Sequence, residues 1–159
     1  MKRRDVLHAL AAAATAAMLP PALATSGGTR IEVFKTETCG CCGAWVEHLT
    51  RAGFQVTVRN VPETASARKR LGMPESYGSC HTASVGGYTI EGHVPADEIK
   101  RLLATRPEAV GLAVPGMPVG SPGMEMGSRR DPYDVLLIDK AGRASVFAHY
   151  PKAGTPSKP

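Results

Sequence analysis

The sequence has few of the features that mark nucleic-acid-binding or membrane-spanning proteins. Aromatic residues make up 5% of its 159 residues, and although the formal net charge is +5, no block of lysine or arginine with interleaved aromatics marks a nucleic-acid face. Beyond the N-terminal region, no apolar run approaches the about 20 residues that a membrane-spanning helix needs. The composition therefore predicts no nucleic-acid partner and no transmembrane segment in the mature protein.

The N-terminus has the three parts of a secretory signal peptide. Residues 2–4 are basic, residues 6–19 are rich in alanine and leucine, and Ala22-Leu23-Ala24 is a small-x-small cleavage site. The arginine pair at 3–4 also fits a twin-arginine export signal, and the sequence leaves both export routes open. We predict a signal peptide over residues 1–24, cleaved near Ala24, and export to the periplasm.

The remainder predicts one α/β domain over residues 31–150, with a flexible leader at 25–30 and a disordered tail at 151–159. Alternating apolar residues and glycine or proline boundaries give the order β-α-β-α-β-β-α, which is thioredoxin-like. A long loop rich in methionine, glycine and proline then leads to a C-terminal β-hairpin. Strands are predicted at 31–35, 54–61, 82–85, 88–91, 133–139 and 144–150, helices at 42–52, 62–71 and 95–105, and the loop at 111–130.

Cysteine is scarce, and its placement is uneven. Cys39, Cys41 and Cys42 fall within four residues, and Cys80 is the chain's only other cysteine. In a thioredoxin-like sheet the segment after the first strand, the segment before the third strand and the segment after the fourth strand lie at one edge. The three clustered cysteines, the pair Cys80-His81 and His93 should therefore meet there.

Three uses of these thiols stay open. An exported protein forms disulfides, in any of three pairings of four cysteines. Cys39 and Cys42 have the C-x-x-C spacing of a thiol–disulfide oxidoreductase, with Cys41 as an extra thiol inside the pair. Several thiolates can also converge on soft metal ions such as Cu(I), whereas zinc sites more often show two separated cysteine pairs.

The long loop favours copper among the metals. Its residues 114–127 contain Met117, Met124 and Met126 but few other apolar residues beside which they could pack. Thioether sulfur is a soft donor suited to Cu(I), so these methionines are candidate ligands or shields, together with His93. The alternative is a loop that tucks its methionines into a surface groove.

The other polar side chains are expected to have ordinary structural roles. His81 is either a ligand or a polar contact at a strand end, and Trp45 is expected in the core. A solvated position is expected for His48 and for the helix-face residues Glu47, Arg68, Lys69 and Arg70.

Four stretches together resemble the CopG-type family of periplasmic copper-resistance proteins: CGCCGAWVEHL, YGSCHTA, IEGHVPADEIKRLL and GLAVPGMPVGSPGMEMG. The likeness spans about residues 31–150. It implies a thioredoxin-like fold with a cysteine-rich copper site, encoded with copper-efflux and copper-oxidation genes. The family's C-x-C-C motif falls on Cys39, Cys41 and Cys42, and its later cysteine falls on Cys80.

The sequence thus predicts a periplasmic protein that binds Cu(I), in one or several ions, through Cys39, Cys41, Cys42 and Cys80. Met117, Met124, Met126 and His93 are secondary ligands. Thiol oxidation coupled to Cu(II) reduction is a further hypothesis. The expected partners are copper ions and other periplasmic copper-handling or efflux proteins. The alternative function is thiol–disulfide exchange without a stable metal.

Overall fold

The structure is a computed structural model that describes residues 28–151. In this part of the chain, seven strands form one mixed sheet, and three α-helices and one 3₁₀ helix connect them. The elements, in chain order, are β1 Arg30–Lys35, α1 Gly40–Arg51, β2 Gln55–Asn60, α2 Ala65–Arg70, the 3₁₀ helix Glu75–Tyr77, β3 His81–Val85, β4 Tyr88–Gly92, α3 Ala96–Thr105, β5 Gly111–Val114, β6 Tyr133–Ile138 and β7 Ala144–Tyr150.

The strand order across the sheet is β2-β1-β3-β4-β5-β6-β7. β1 runs parallel to β2 and antiparallel to β3, and β3 is antiparallel to β4. The first four strands with α1, α2 and α3 follow the predicted β-α-β-α-β-β-α order, and the α/β fold class is confirmed. The C-terminal hairpin also forms, as an antiparallel β6–β7 pair that extends the same sheet.

One strand was missed. The predicted loop at 111–130 begins with β5, which runs parallel to β4 and joins the C-terminal hairpin to the rest of the sheet. All four residues of β5 are buried, so the segment lacks the alternation that identifies a half-exposed strand. Its short apolar run, with glycine at one end and proline at the other, gave a loop signal instead.

Helix α1 is held against the sheet by the face that carries Cys42, Trp45 and Leu49. These residues recur at helical spacing, and each is fully buried. Trp45 therefore lies in the core, as predicted, and its indole Nε1 donates a hydrogen bond to the carbonyl oxygen of Val94 at 2.9 Å. The three cysteines at the start of α1 are thus anchored by the same helix face that fills the core.

The turn between β3 and β4 has the predicted geometry. Gly86 and Gly87 have φ values of +56° and +87°, as a two-residue turn with positive φ at both central positions requires. The tight turn returns the chain to the edge where β3 began. Within the part of the chain that the structure describes, no helix is long and apolar enough to cross a membrane. The predicted signal peptide lies outside the described residues.

Candidate metal centre

Three chain segments meet at the edge of the sheet where β1 and β4 end and β3 begins. The register pairs Lys35, the last residue of β1, with His81, the first residue of β3. This pairing places the cysteines after β1 beside Cys80, and the end of β4 at Gly92 adds His93. The structure thus brings together the segments that the predicted topology assigned to one edge.

The sulfur atoms form a compact cluster. The Sγ atoms of Cys39, Cys41, Cys42 and Cys80 all lie within 4.8 Å of one another. A second group of three possible ligand atoms, from Cys80, His81 and His93, meets the same limit. Cys80 belongs to both groups and is therefore the residue that joins the thiols to the histidines.

Two of the four thiols are joined. Cys39 and Cys42 form a disulfide, and their Cα atoms lie 5.4 Å apart, within the range that disulfides occupy. Cys41 and Cys80 are free thiols. The Sγ of Cys41 lies 3.6 Å from that of Cys39 and 3.9 Å from that of Cys80. The free thiols therefore lie beside the disulfide, so one site contains both oxidised and reduced sulfur.

Burial keeps the Cys80 thiol protonated at neutral pH. Desolvation raises the pKa of Cys80 to about 11, and the neighbouring Cys41 thiol contributes in the same direction. A bound cation reverses this preference, since a metal-coordinating thiol loses its proton. Cys80 is therefore a neutral thiol without a cation and a thiolate with one.

His93 presents one ring nitrogen to Cys80. Its Nδ1 donates a hydrogen bond to the carbonyl oxygen of Pro122 at 2.8 Å, because a carbonyl oxygen can only accept. The other nitrogen, Nε2, keeps its lone pair and lies 3.2 Å from Cys80 Sγ. Desolvation by burial lowers the pKa of His93, which keeps the ring neutral. A neutral imidazole with one nitrogen fixed by a backbone carbonyl is the usual state of a metal-ligating histidine.

His81 is fully buried behind the thiols. Its Nδ1 lies 3.3 Å from Cys80 Sγ, and its ring lies 4.3 Å from that of Trp45, centre to centre. Desolvation, with a smaller contribution from His93, lowers the pKa of His81 to about 3, so the ring stays neutral. His81 therefore supports Cys80 and His93 from the core side of the site.

The methionine loop contacts the site through its backbone. Pro122 accepts the hydrogen bond from His93, and a Cβ on Gly123 would lie 2.8 Å from both the Cys41 carbonyl oxygen and the Trp45 nitrogen. Only glycine allows this approach, because φ at Gly123 is +86°. The loop therefore packs closely on the start of α1.

The three methionines differ in their surroundings. Met124 is half-buried next to Gly123, whereas Met117 is 52% exposed and Met126 is 64% exposed. Met117 and Cys80 both line an open depression of about 390 Å³. Met117 thus lies on the solvent side of Cys80, and the side chain of Met126 faces water.

Two residues that were expected in solvent are partly or fully buried. Arg68 is only 4% exposed, and its guanidinium group donates to Glu91 and to the Ser79 carbonyl oxygen. His48 is half-buried, and its Nε2 accepts a hydrogen bond from the Ala96 N–H at 3.0 Å. Both predictions of a solvated residue were wrong, because each side chain satisfies a polar group of a neighbouring element.

Glu91 was not recognised as a site-supporting residue. It lies in β4, every residue of which is buried, and its side chain has no exposure. A carboxylate within a buried strand is a signal that sequence reasoning could have used, because such a group needs a charged or hydrogen-bonding partner.

The donor set suits a soft cation. Four cysteine sulfurs and one available imidazole nitrogen converge at a partly exposed edge, and no carboxylate is among the clustered atoms of either group in residues 28–151. Thiolate and imidazole donors select copper or zinc over magnesium and calcium, which prefer oxygen. The residues present therefore fit a copper or zinc ion. In residues 28–151, the clustered donors outside the Cys39–Cys42 disulfide are Cys41, Cys80, His81 and His93.

Comparison with known proteins identifies the family. Residues 77–124 match a family model described as a protein of unknown function, DUF411, and no curated protein matches the chain. Two solved structures, both titled copper resistance protein copG, are similar over 78% of this chain. The first, form 2, is 48% identical over 99% of its own length, and the second, form 1, is 49% identical over 98%, each with a TM-score of 0.74. The chain therefore belongs to the CopG family of copper resistance proteins.

Proposed function

We propose that this chain binds Cu(I) through Cys39, Cys41, Cys42 and Cys80, with His93 as a further ligand. The observation that carries the proposal is the convergence of four cysteine sulfurs at one edge of the sheet. His93 joins this cluster through the contact of its Nε2 with Cys80 Sγ. Thiolate is a soft donor that selects Cu(I) or zinc. The titles of the similar structures name copper resistance, and this favours copper over zinc.

The spacing of the thiols also favours more than one copper ion in the reduced state. Cys41 Sγ lies less than 4 Å from both Cys39 Sγ and Cys80 Sγ, so it can bridge two ions. Met117, which lines the depression beside Cys80, and Met124 are secondary donors whose thioethers would shield a bound ion. Met126, with its exposed side chain, is the weakest of the proposed methionine ligands.

The disulfide couples copper binding to electron transfer. When the Cys39 and Cys42 thiols form their disulfide, they release two protons and two electrons. Two Cu(II) ions take up one electron each and become two Cu(I) ions, so the step balances with Cu(II) as the oxidant. Cys41, Cys80 and His93 remain to hold Cu(I) after the disulfide has formed.

An anaerobic titration tests the proposal. We expect the fully reduced protein to bind more Cu(I) than the protein with the Cys39–Cys42 disulfide, because reduction adds two thiolate donors. Binding should be tighter at pH 8 than at pH 6, since the Cys80 proton, held with a pKa of about 11, must leave when the metal binds. Competition with a chromophoric Cu(I) chelator measures both effects. Equal copper binding by the reduced and disulfide forms would contradict the role of Cys39 and Cys42.

Cu(II) added to the reduced protein provides the redox test. We expect two Cu(I) ions to appear for each disulfide formed, counted by the chelator and by thiol titration. Copper bound without loss of thiols would limit the function to binding.

His93→Gln should weaken Cu(I) binding by about tenfold or more, because the variant lacks the imidazole Nε2 beside Cys80. The matched control is His149→Gln, in which the lost ring belongs to an exposed histidine paired with Asp134 on the C-terminal hairpin. Chelator competition should give the wild-type affinity for the control. If both variants bind copper as the wild type does, His93 is not a ligand.

The second candidate function is thiol–disulfide exchange without a stable metal. The disulfide at the N-terminal end of α1 favours it, because that position stabilises thiolate over thiol. Reduction of insulin by the metal-free protein distinguishes the two candidates. Catalysis of insulin reduction together with no retained copper would favour the second.

Export to the periplasm is part of the proposal and rests on the N-terminal sequence pattern. Other copper-handling or efflux proteins of that compartment are the proposed partners. N-terminal sequencing of protein recovered from the periplasm checks the expected cleavage near Ala24.

A further inference from the structure

A charged pair is buried directly behind Cys80. Arg68 is 4% exposed and Glu91 has no exposure, and the Arg68 Nε donates to Glu91 Oε1 at 3.0 Å. Neither residue belongs to the two groups whose possible ligand atoms cluster at the site. Burying an ion pair costs desolvation free energy, and apolar residues of similar volume often stabilise a fold as well or better. The pair therefore needs an explanation other than stability.

Glu91 holds the chain on both sides of the dipeptide Cys80-His81. Its Oε1 accepts a hydrogen bond from the Ser79 backbone N–H at 2.7 Å, and its Oε2 accepts one from the Thr82 hydroxyl at 2.6 Å. Hydrogen bonds to an ionised acceptor are short and strong. One buried carboxylate thus fixes the residues that precede and follow the two site residues.

Arg68 holds the other polar group of the Ser79 backbone. Its Nη2 donates to the Ser79 carbonyl oxygen at 2.9 Å. Its Nη1 donates to Glu75 Oε1 at 2.7 Å, which helps to fix the orientation of the guanidinium plane. Both the N–H and the carbonyl of the residue before Cys80 are therefore bound by the same ion pair.

The Ser79 side chain extends this restraint to the methionine loop. Its hydroxyl donates to the Gly116 carbonyl oxygen at 2.6 Å, next to Met117. A Cβ on Gly92 would lie 2.8 Å from the Ser79 side chain, so this side chain also packs against the end of β4, just before His93. Ser79 is thus restrained at its N–H, its carbonyl and its side chain.

We propose that Arg68 and Glu91 are positioning residues that fix Cys80 in the place where its sulfur reaches both Cys41 and His93. Those separations are 3.9 Å and 3.2 Å, and a small displacement of Ser79 would change both. The two residues act through the Ser79 backbone before Cys80 and through the Thr82 hydroxyl after His81. Of the two measurements described below, only the copper affinity rests on the proposed function. The alkylation measurement uses the metal-free protein and does not.

The chain offers a matched pair of variants for the test. Glu91→Gln removes one charge from the buried pair behind Cys80. Glu98→Gln makes the same change in another buried carboxylate, which is 2% exposed, pairs with Arg101 and accepts a hydrogen bond from Tyr150, a residue of the C-terminal hairpin. Both variants lose a buried charged interaction, but only the first lies beside the site.

The first measurement uses the metal-free protein with its disulfide intact. Limited alkylation with iodoacetamide, followed by mass spectrometry, gives the ratio of modified Cys80 to modified Cys41 in one sample. Global unfolding exposes both thiols and would itself shift this ratio, so the effect is judged against Glu98→Gln, which also loses a buried charged contact but lies away from Cys80. We expect Glu91→Gln to raise this ratio several-fold, because Cys80 is released from its restrained position, and Glu98→Gln to leave it unchanged.

The second measurement is Cu(I) affinity of the reduced proteins by chelator competition. Residues that orient metal ligands contribute about 10- to 100-fold to metal affinity, so Glu91→Gln should weaken binding by about tenfold, and Glu98→Gln should have the wild-type affinity. Arg68→Lys serves if Glu91→Gln does not fold. A lysine ammonium keeps the charge but lacks the planar fork that reaches both Glu91 and the Ser79 carbonyl, so the alkylation ratio should again rise.

An unchanged alkylation ratio in Glu91→Gln and Arg68→Lys would overturn the inference and leave the ion pair as an ordinary element of the core. A wild-type protein that binds no copper would overturn the proposed function instead. The alkylation ratio would still test the positioning of Cys80 in that case.

Discussion

Cys80→Ser should reduce the Cu(I) affinity of the reduced protein by more than about a hundredfold, beyond the effect of residues that only orient a ligand. Within residues 28–151, Cys80 is the only residue present in both groups of clustered ligand atoms, and it lies next to both Cys41 and His93. A serine hydroxyl has nearly the same shape, but its oxygen is a hard donor that Cu(I) binds poorly. The substitution therefore removes the donor that joins the thiols to the histidine, and chelator competition measures the loss.

The same variant should keep its fold. Cys80 is partly exposed, so we expect its free energy of unfolding to change by about 1 kcal/mol or less. Denaturant unfolding of the metal-free protein checks this. Ser84→Ala, in the strand β3 that follows Cys80, is the control for a change of one small side chain away from the cluster. Full copper retention by folded Cys80→Ser would remove the proposed site.

Trp45→Ala should lower the free energy of unfolding by about 3–5 kcal/mol, the usual cost of deleting a large buried aromatic side chain. Trp45 is fully buried, packs in the main core, contacts the His81 ring and donates to the Val94 carbonyl oxygen. The substitution would leave a cavity beneath α1 and an unpaired buried carbonyl. Denaturant unfolding followed by circular dichroism measures the change in the metal-free protein.

Trp45→Phe separates the loss of apolar packing from the loss of the hydrogen bond to Val94 as causes of the lower free energy of unfolding. Phenylalanine retains most of the apolar contact but cannot donate to Val94, so we expect a loss of about 1–3 kcal/mol, the cost of a buried acceptor without a donor. Because α1 contains Cys41 and Cys42 and begins directly after Cys39, we also expect Trp45→Ala to bind copper more weakly than Trp45→Phe. A loss of less than about 1 kcal/mol for Trp45→Ala would show that the helix is not anchored by this side chain.

Local patterns predicted most of the fold because most of its elements carry a signal in their own residues or in an adjacent turn. Alternation marked β1 and the C-terminal hairpin, helical spacing marked the buried face of α1, and two glycines marked the turn between β3 and β4. β5 had no such pattern, because it is buried on both sides and is only four residues long. Its identity as a strand depends on its neighbours in the sheet, β4 and β6. Both are separated from it along the chain by long connecting segments, so no local pattern reveals the pairing.

The sequence also predicted which segments meet, because topology alone decides which ends of strands share an edge. It could not predict that Arg68 and His48 are buried. A polar residue on a short helix has the same local pattern whether it faces water or a buried partner. Arg68 is buried because Glu91 and Ser79 of other elements bind it, and these contacts exist only in the assembled fold.

The methionines of the long loop also show that a local sequence pattern does not predict burial. Met117, Met124 and Met126 are similar in sequence context, yet their exposure differs. The difference arises because Pro122 and Gly123 are drawn against His93 and the start of α1, which half-buries the neighbouring Met124 and leaves Met126 outside. Copper ligation by each of them stays a prediction.

The two cysteines of the disulfide differ in burial, and this difference decides which sulfur an attacking thiolate can reach. Cys42 is fully buried, whereas Cys39 is partly exposed. An external thiolate approaching from solvent therefore meets the sulfur of Cys39 and expels that of Cys42, whose departing negative charge is stabilised by the first turn of α1. Any covalent adduct between this protein and a small reductant or a partner protein would consequently be carried by Cys39, with Cys42 as the residue that later resolves it.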